Sequence, residues 1–312
     1  MAGSYEKINY SIRPAKSIMR KILLESFRRL NFFYPFSKYQ YVGFGSTYFT
    51  DFSVVHKSLG ISNMISIEKE SADKKRFKFN KPFSCIDIKF GHSNDMLLEI
   101  DWKKPTILWL DYDGKLSNET LVDINHFFTS AVSGSVIIIT VNSTPPGKEM
   151  NRLAALKKQF TNKIVPYDTR EKDIPGDGTS KIYQKIITNQ LEKVLNARNA
   201  PITETKKKLQ YAQLYNLIYK DTAKMLTVGG ILYSKSDSKK FKKCLFNKLN
   251  FVNNKNEPVK ITTPILTYRE IRYLDKFLPG KISNSNKSIP SKEKKKYKDL
   301  YKYYPVFAET EL

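Results

Sequence analysis

Apolar residues along this chain fall first at helical and then at strand spacing. Between residues 13 and 30, Ile18, Met19, Ile22, Leu23, Phe27 and Leu30 recur at steps of three and four, which is one stripe of a helix, and Pro14 suits its first turn. Lys16, Arg20, Lys21, Arg28 and Arg29 fill the rest of that helix and read as its solvated side. Short apolar runs follow: the strand ahead of Gly43 in YQYVGFGSTYFTD, then MISIE ending at Glu68, residues 85–90, residues 106–110 and residues 136–141. Helical stretches at about 49–59 and 117–130 separate some of them. Uniformly apolar strands alternating with helices are the pattern of a parallel sheet buried on both faces, so the predicted class is α/β.

Beyond residue 143 the periodicity turns helical. Leu153, Leu156 and Phe160 mark one helix, and Ile182, Ile186, Val194 and Leu195 a second; Leu209, Ala212, Leu217 and Met225 suggest a third. Residues of about 143–226 are therefore expected to form a helical insert over the sheet. Strands are expected again at 229–234 and in a pair near 249–252 and 259–261. Thr267 and Glu270 make a capping box for a helix running to Phe277. RFKFNKPF at 76–83 reads as loop or edge because of Pro82. The lysine-rich tail from 281 is expected to be mobile or partner-dependent. The expected division is a helical segment over 1–38, a sheet domain over 39–280 carrying the insert, and a tail over 281–312.

Charge changes the picture most. Against 30 Asp and Glu stand 54 Lys and Arg, a net charge of +24. That excess favours an anionic partner, with nucleic acid or a nucleic-acid-bound assembly foremost, and disfavours a cationic substrate such as a polyamine. The competing reading is lysine scattered over a solvated surface. Phe77, Phe79 and Phe83 among Arg76, Lys78 and Lys81 either stack bases between phosphates or pack against the sheet, and packing is the favoured alternative. The 2 cysteines, Cys85 and Cys244, have no disulfide or zinc spacing. No apolar run is long enough to span a bilayer and no secretory pattern opens the chain, so the expectation is a cytoplasmic protein without membrane contact.

The candidate chemistry collects at strand ends. Gly43 and Gly45 leave no Cβ in a turn between a strand and a helix, a place where backbone N–H groups can face a nucleotide-like ligand. Glu68 closes the next strand, and at its distance along the chain a crossover carries its carboxylate to the edge where a ribose diol would lie. In LWLDYDG, Asp111 and Asp113 leave the most apolar strand at i and i+2, where carboxylates orient a nucleophile, take a proton or bind a cation; helix capping is the structural alternative. Asn142 and Ser143 end the next strand and are expected to reach the same space.

YVGFGSTYFTDF, MISIE, RFKFNKPF, WLDYDG and GSVIIITVN together resemble the class I S-adenosylmethionine-dependent methyltransferases, and more narrowly a group of uncharacterised prokaryotic O-methyltransferase-like proteins. The likeness is good over about 10–142 and loose beyond. It implies a Rossmann-like, mostly parallel sheet of about seven strands with helices on both faces, a helical insertion and a C-terminal extension. It also implies S-adenosyl-L-methionine as cofactor and methyl transfer to oxygen or nitrogen. By the same resemblance Gly43, Phe44, Gly45 and Ser46 approach the methionine part, Glu68 holds the ribose hydroxyls, and His92 and Ser93 contact adenine. Asp111 lies beside the transferable methyl as first choice for substrate orientation or proton acceptance, with Asp113 second. Three departures stand out: Tyr41 replaces an acid, Thr47 replaces the third glycine, and His92 stands where an aspartate is common. Asp51 is the candidate to take over the missing acid's role. Mg is disfavoured, because the metal-dependent relatives carry an acid where this chain has Val141. A methyltransferase fold with weak or no turnover, acting as a binding module in a nucleic-acid-associated assembly such as one of antiviral defence, is the principal alternative. A nicotinamide dehydrogenase ranks below it, since Tyr48 occupies the last small position of G-x-G-x-x-G.

Overall fold

The computed structural model describes residues 13–69, 73–160, 164–252, 257–282 and 288–305. Five parallel strands form the heart of the sheet: β1 (Gln40–Gly43), β2 (Asn63–Glu68), β3 (Ile86–Phe90), β4 (Thr106–Asp111) and β5 (Val136–Asn142). Their spatial order, β3-β2-β1-β4-β5, is that of a Rossmann-like nucleotide fold, with the switch in winding direction between β1 and β4. At such a switch the connecting helices leave to opposite faces and open a crevice at the carboxyl ends of the strands. Val42, Leu108, Leu110 and Ile139 pack toward one face and Tyr41, Ile107, Trp109 and Ile138 toward the other, all of them buried. Both faces are apolar, which explains the absence of polar alternation.

Three helices cover the first face: α1 (Pro14–Arg29), α2 (Thr50–Leu59) and α3 (Lys74–Asn80). On the second lie α4 (Ser93–Met96), α5 (Asn118–Ser130), α6 (Arg152–Gln159) and α7 (Gly178–Asn199). The expected loop at 76–83 is thus largely helix, capped by Asp73, whose side chain accepts from the N–H groups of Lys75 and Arg76. Its aromatic trio is divided. Phe77 is buried in the core and Phe83 packs on the His56 ring at 4.5 Å, while Phe79 is 88% exposed.

The third helix of the expected insert is not a helix. Residues 209–226 belong to a long antiparallel hairpin, β6 (Leu209–Lys220) and β7 (Lys224–Ser234), with β7 hydrogen-bonded to β5. A bulge between Gln213 and Tyr215 shifts the pleat, and both faces of β6 are buried in its second half, so no two-residue period survives to identify it. Residues 249–252, expected as a strand, form a turn that buries Leu249 and Phe251. The eighth strand, β8 (Val259–Ile261), lies parallel to β6 at the sheet edge. The described part of the tail packs against the rest of the chain. After α9 (Tyr268–Asp275), α10 (Ser291–Leu300) buries Tyr297 beside Leu274 and Ile289, Tyr303 donates its hydroxyl to Glu25 on α1, and Lys21 donates to the carbonyl of Tyr304 at 3.3 Å. Among the described residues no helix is long and apolar enough to cross a membrane.

Candidate functional site

The acid at the end of β2 and the bend after β1 meet. Glu68 Oε1 accepts the Gly45 N–H at 2.9 Å and the Ser66 hydroxyl at 2.7 Å, and the Ser66 oxygen also accepts the Gly45 N–H at 3.0 Å. The two glycines have separate steric reasons. A Cβ on Gly43 would lie 2.8 Å from the Trp109 carbonyl of the neighbouring strand, and one on Gly45 would lie 2.6 Å from both a Phe49 ring carbon and the Ser66 oxygen. The bend continues through Ser46 and Phe49, both left-handed at φ of 50° and 46°, conformations that non-glycine residues occupy only under constraint. Within it the Thr47 hydroxyl is buried with no hydrogen-bond partner among the described residues. Burial pushes the Glu68 carboxyl up to about 7, against the opposing hydrogen bonds from Ser66, Gly45 and Ser46.

A second set of groups comes from α1. Lys16 and Arg20, one helical turn apart, point into the crevice rather than into solvent, which corrects the reading of that side as solvated. Lys16 Nζ pairs with Asp111 and donates to the Tyr219 hydroxyl at 3.2 Å; Arg20 Nε pairs with Asp51. The Lys16 side chain is 5% exposed and that of Asp111 17%. Its ammonium also sits 5.4 Å from the Trp109 ring centre and 5.8 Å from that of Tyr219. Burial alone would lower the Lys16 pKa, but the charges of Asp111, Tyr219 and Asp51 more than offset it, so the net shift is upward and the ammonium is held. The helix start is fixed by the added hairpin: Asp221, in the turn between β6 and β7, accepts the N–H groups of Ala15 and Lys16 at 3.0 Å each.

Asp51 therefore does sit beside the bend, as an ion-pair partner of Arg20, and Asp111 is tied to Lys16. Asp113 is exposed two residues on, close enough for its charge to be felt at Asp111. Phe44, half-buried, packs edge-on to Tyr112 at 5.2 Å. Tyr112 donates to the buried Asp123 of α5, which also takes the Asn94 amide, so the loop after β3 is tied to the loop after β4. His92 is exposed; its ring nitrogen caps α4 by accepting the Asn94 N–H at 3.4 Å, and its other nitrogen lies 3.7 Å from Glu119. Ser93 opens α4, half-buried. Asn142 and Ser143 do not reach the crevice as free groups: Asn142 accepts from the Thr144 N–H at 2.9 Å, and the buried Ser143 accepts from Ser180 at 2.8 Å.

The donor set suits a cationic nucleoside. In the crevice Lys16 and Arg20 are answered by Asp51, Asp111 and the nearby Asp113, so the positive charge of the molecule as a whole does not carry into it. Glu68 supplies acceptors for a diol, and Thr47 supplies a buried hydroxyl with no partner among the described residues. The sequence singled out Glu68, the bend, Asp51 and Asp111; it missed Lys16, Arg20, Tyr219, Asp123 and Asp221. A signal for two of these was present. Lys16 and Arg20 lie in one row with Leu23 and Phe27, at i, i+4, i+7 and i+11, which is the buried side of the helix.

A family model described as "Putative O-methyltransferase" matches residues 8–312. Searching curated proteins gives no match. Among solved structures, a putative hemolysin from Lactococcus lactis is similar at 10% identity over 68% of this chain and 86% of that one, with a TM-score of 0.38. The O-methyltransferase from Bacillus cereus in complex with SAH is similar at 12% identity, over 66% and 79%, with a TM-score of 0.33. For human N-acetylserotonin methyltransferase in complex with SAM the values are 10%, 69%, 55% and 0.31, so the chain spans little more than half of that enzyme's length.

Proposed function

The chain belongs to the family described as putative O-methyltransferases, and from that premise we propose that it transfers a methyl group from S-adenosyl-L-methionine to an oxygen or nitrogen nucleophile. The observation that carries the reading is the 2.9 Å hydrogen bond between Glu68 and the Gly45 N–H, because it brings the acid of β2 against the bend of β1 at the switch point of the sheet. The cofactor supplies an already activated methyl on a sulfonium, which leaves the protein to bind, orient and exclude water.

Glu68 accepts from the ribose hydroxyls and the residues from Gly43 to Ser46 line the amino-acid end. His92 and Ser93 border the adenine side. Asp111 orients the acceptor and takes its proton; Lys16 favours the ionised carboxylate and, with Tyr219, fixes its direction. Asp113, at the exposed end of the same loop, is the second carboxylate available to an acceptor. The excess of basic residues makes nucleic acid the favoured acceptor class within this proposal.

Titration calorimetry with S-adenosyl-L-methionine and S-adenosylhomocysteine tests the site. Both should bind the wild-type chain, and Glu68→Ala should weaken both at least tenfold; equal affinities would remove the assignment. A radiolabelled-methyl assay on nucleic acid and cell lysate then tests turnover. One observation favours a second reading: Asp111 is already engaged by a buried lysine and the Gly45 N–H is already satisfied within the protein. A chain that binds the cofactor without transferring methyl to any fraction would be a binding module on the same fold.

A further inference from the structure

We infer that α9 presents a binding face for single-stranded nucleic acid, separate from the crevice. Tyr268, Arg269, Arg272, Tyr273 and Lys276 line one hollow of about 430 Å³. Their spacing along the helix places them on a single side, while Leu274 on the opposite side is buried against Ile289 and Tyr297. The anchoring side seats the helix, and on the lining side Tyr268, at 56% exposure, and the three cations face solvent while Tyr273 is half-buried.

The helix is charged asymmetrically, and its acids are spent internally. Glu270 accepts the Thr267 N–H at 2.7 Å and the Thr267 hydroxyl at 3.0 Å in the capping box, and Asp275 accepts the Tyr297 hydroxyl at 2.7 Å. Arg269, Arg272 and Lys276 have no carboxylate partner among the described residues, and Arg272 lies over the Tyr268 ring at 5.0 Å. Three outward cations around the exposed Tyr268 ring combine phosphate attraction with stacking surface, and the half-buried Tyr273 closes the floor of the hollow. A strand with unpaired bases matches both, because a base held inside a duplex offers no free face to a tyrosine. The proposal rests on the nucleic-acid arm of the reading above and not on methyl transfer, since the binding it concerns needs no cofactor.

Fluorescence polarisation with a labelled 12-nucleotide single strand of mixed sequence tests it, using the full chain without cofactor. Neutralising three phosphate contacts accounts for a slope of about −2 in log affinity against log salt, or about a 20-fold loss between 50 and 200 mM salt. The variant R269Q/R272Q/K276Q should therefore bind more weakly by about tenfold or more at low salt, with a slope shallower by about two. Tyr268→Ala should cost about fivefold or more and Tyr268→Phe should restore most of it, as stacking requires. The charge-matched control K103Q/K157Q/K193Q removes three exposed cations elsewhere and should change affinity less than about threefold. Thermal melts of each variant report folding. Equal loss in the control, no binding by the wild-type chain at 50 mM salt, or capture by anionic vesicles with no affinity for the oligonucleotide would each overturn the assignment. A negative methyl-transfer assay with these results intact would leave the surface standing and remove only the enzyme.

Discussion

Replacing Lys16 by Met removes the charge that faces Asp111 while keeping an unbranched stem of similar length. The pair is nearly dry, with side chains 5% and 17% exposed, so truncating one partner leaves a carboxylate shut away from water. Breaking a buried pair in this way typically costs about 3–5 kcal/mol. Arg20 lies near enough to feel the charge of Asp111 and supplies part of the missing compensation, which places the expectation at the lower end, about 3 kcal/mol. Removing both charges in K16M/D111N should recover most of the loss, because the penalty belongs to the orphaned ion and not to the missing contact. The folded pKa of Lys16 is raised, so its contribution is complete below the ordinary lysine value and is lost only as pH climbs through the raised one. Stability measured by urea unfolding should accordingly show the K16M deficit unchanged between about pH 7 and about pH 9. A single-variant cost below about 1 kcal/mol, or a double variant no better than K16M, would show that the pair is solvated in the working protein and that α1 does not seal the crevice.

Three further outcomes follow from the same geometry. The raised Glu68 pKa means that the folded state holds a proton which the unfolded chain releases near pH 4.5, so this group costs stability progressively as pH rises from there to about 7, by up to roughly 3 kcal/mol, and Glu68→Gln should flatten that part of a pH-stability curve. Gly45→Ala puts a methyl 2.6 Å from Phe49 and Ser66 and should lower stability by about 1–3 kcal/mol while abolishing cofactor binding in calorimetry. Asp221→Ala uncaps α1 and should cost about 1 kcal/mol in urea unfolding, with faster amide exchange confined to the first turn of the helix as the distinguishing signal.

The parts of the site that were legible in the sequence are those whose chemistry is local. A strand that ends in glycines, the next that ends in Glu68 and a third that ends in Asp111 each declare themselves within a few residues, and parallel pairing brings their ends to one edge. What was not legible depends on partners distant in the chain. Lys16 looks like an ordinary surface lysine until Asp111, 95 residues away, is placed opposite it. Residues 209–226 carry apolar positions compatible with a helix, and only β5 as a neighbour and the bulge at Gln213 decide for a hairpin. The tail reads as mobile or partner-dependent because its lysines dominate the composition, and the packing of Tyr297 and Tyr303 in its described part depends on Asp275 and Glu25, partners distant in the chain.

The elements added around the five-stranded core have one consequence in common. The turn between β6 and β7 holds the start of α1 through Asp221, Tyr219 of β6 meets the Lys16 ammonium, and the tail grips the second half of the same helix through Tyr303 and Glu25. Three segments from the second half of the chain thus restrain one helix from its beginning, and that helix carries the two cations that neutralise Asp51 and Asp111. The buried stripe of Ile18, Met19, Ile22, Leu23 and Phe27 seats the helix on the sheet, and these added contacts help offset the desolvation of the four charges. The hairpin and tail therefore act on the chemistry of the crevice by fixing where α1 presents Lys16 and Arg20.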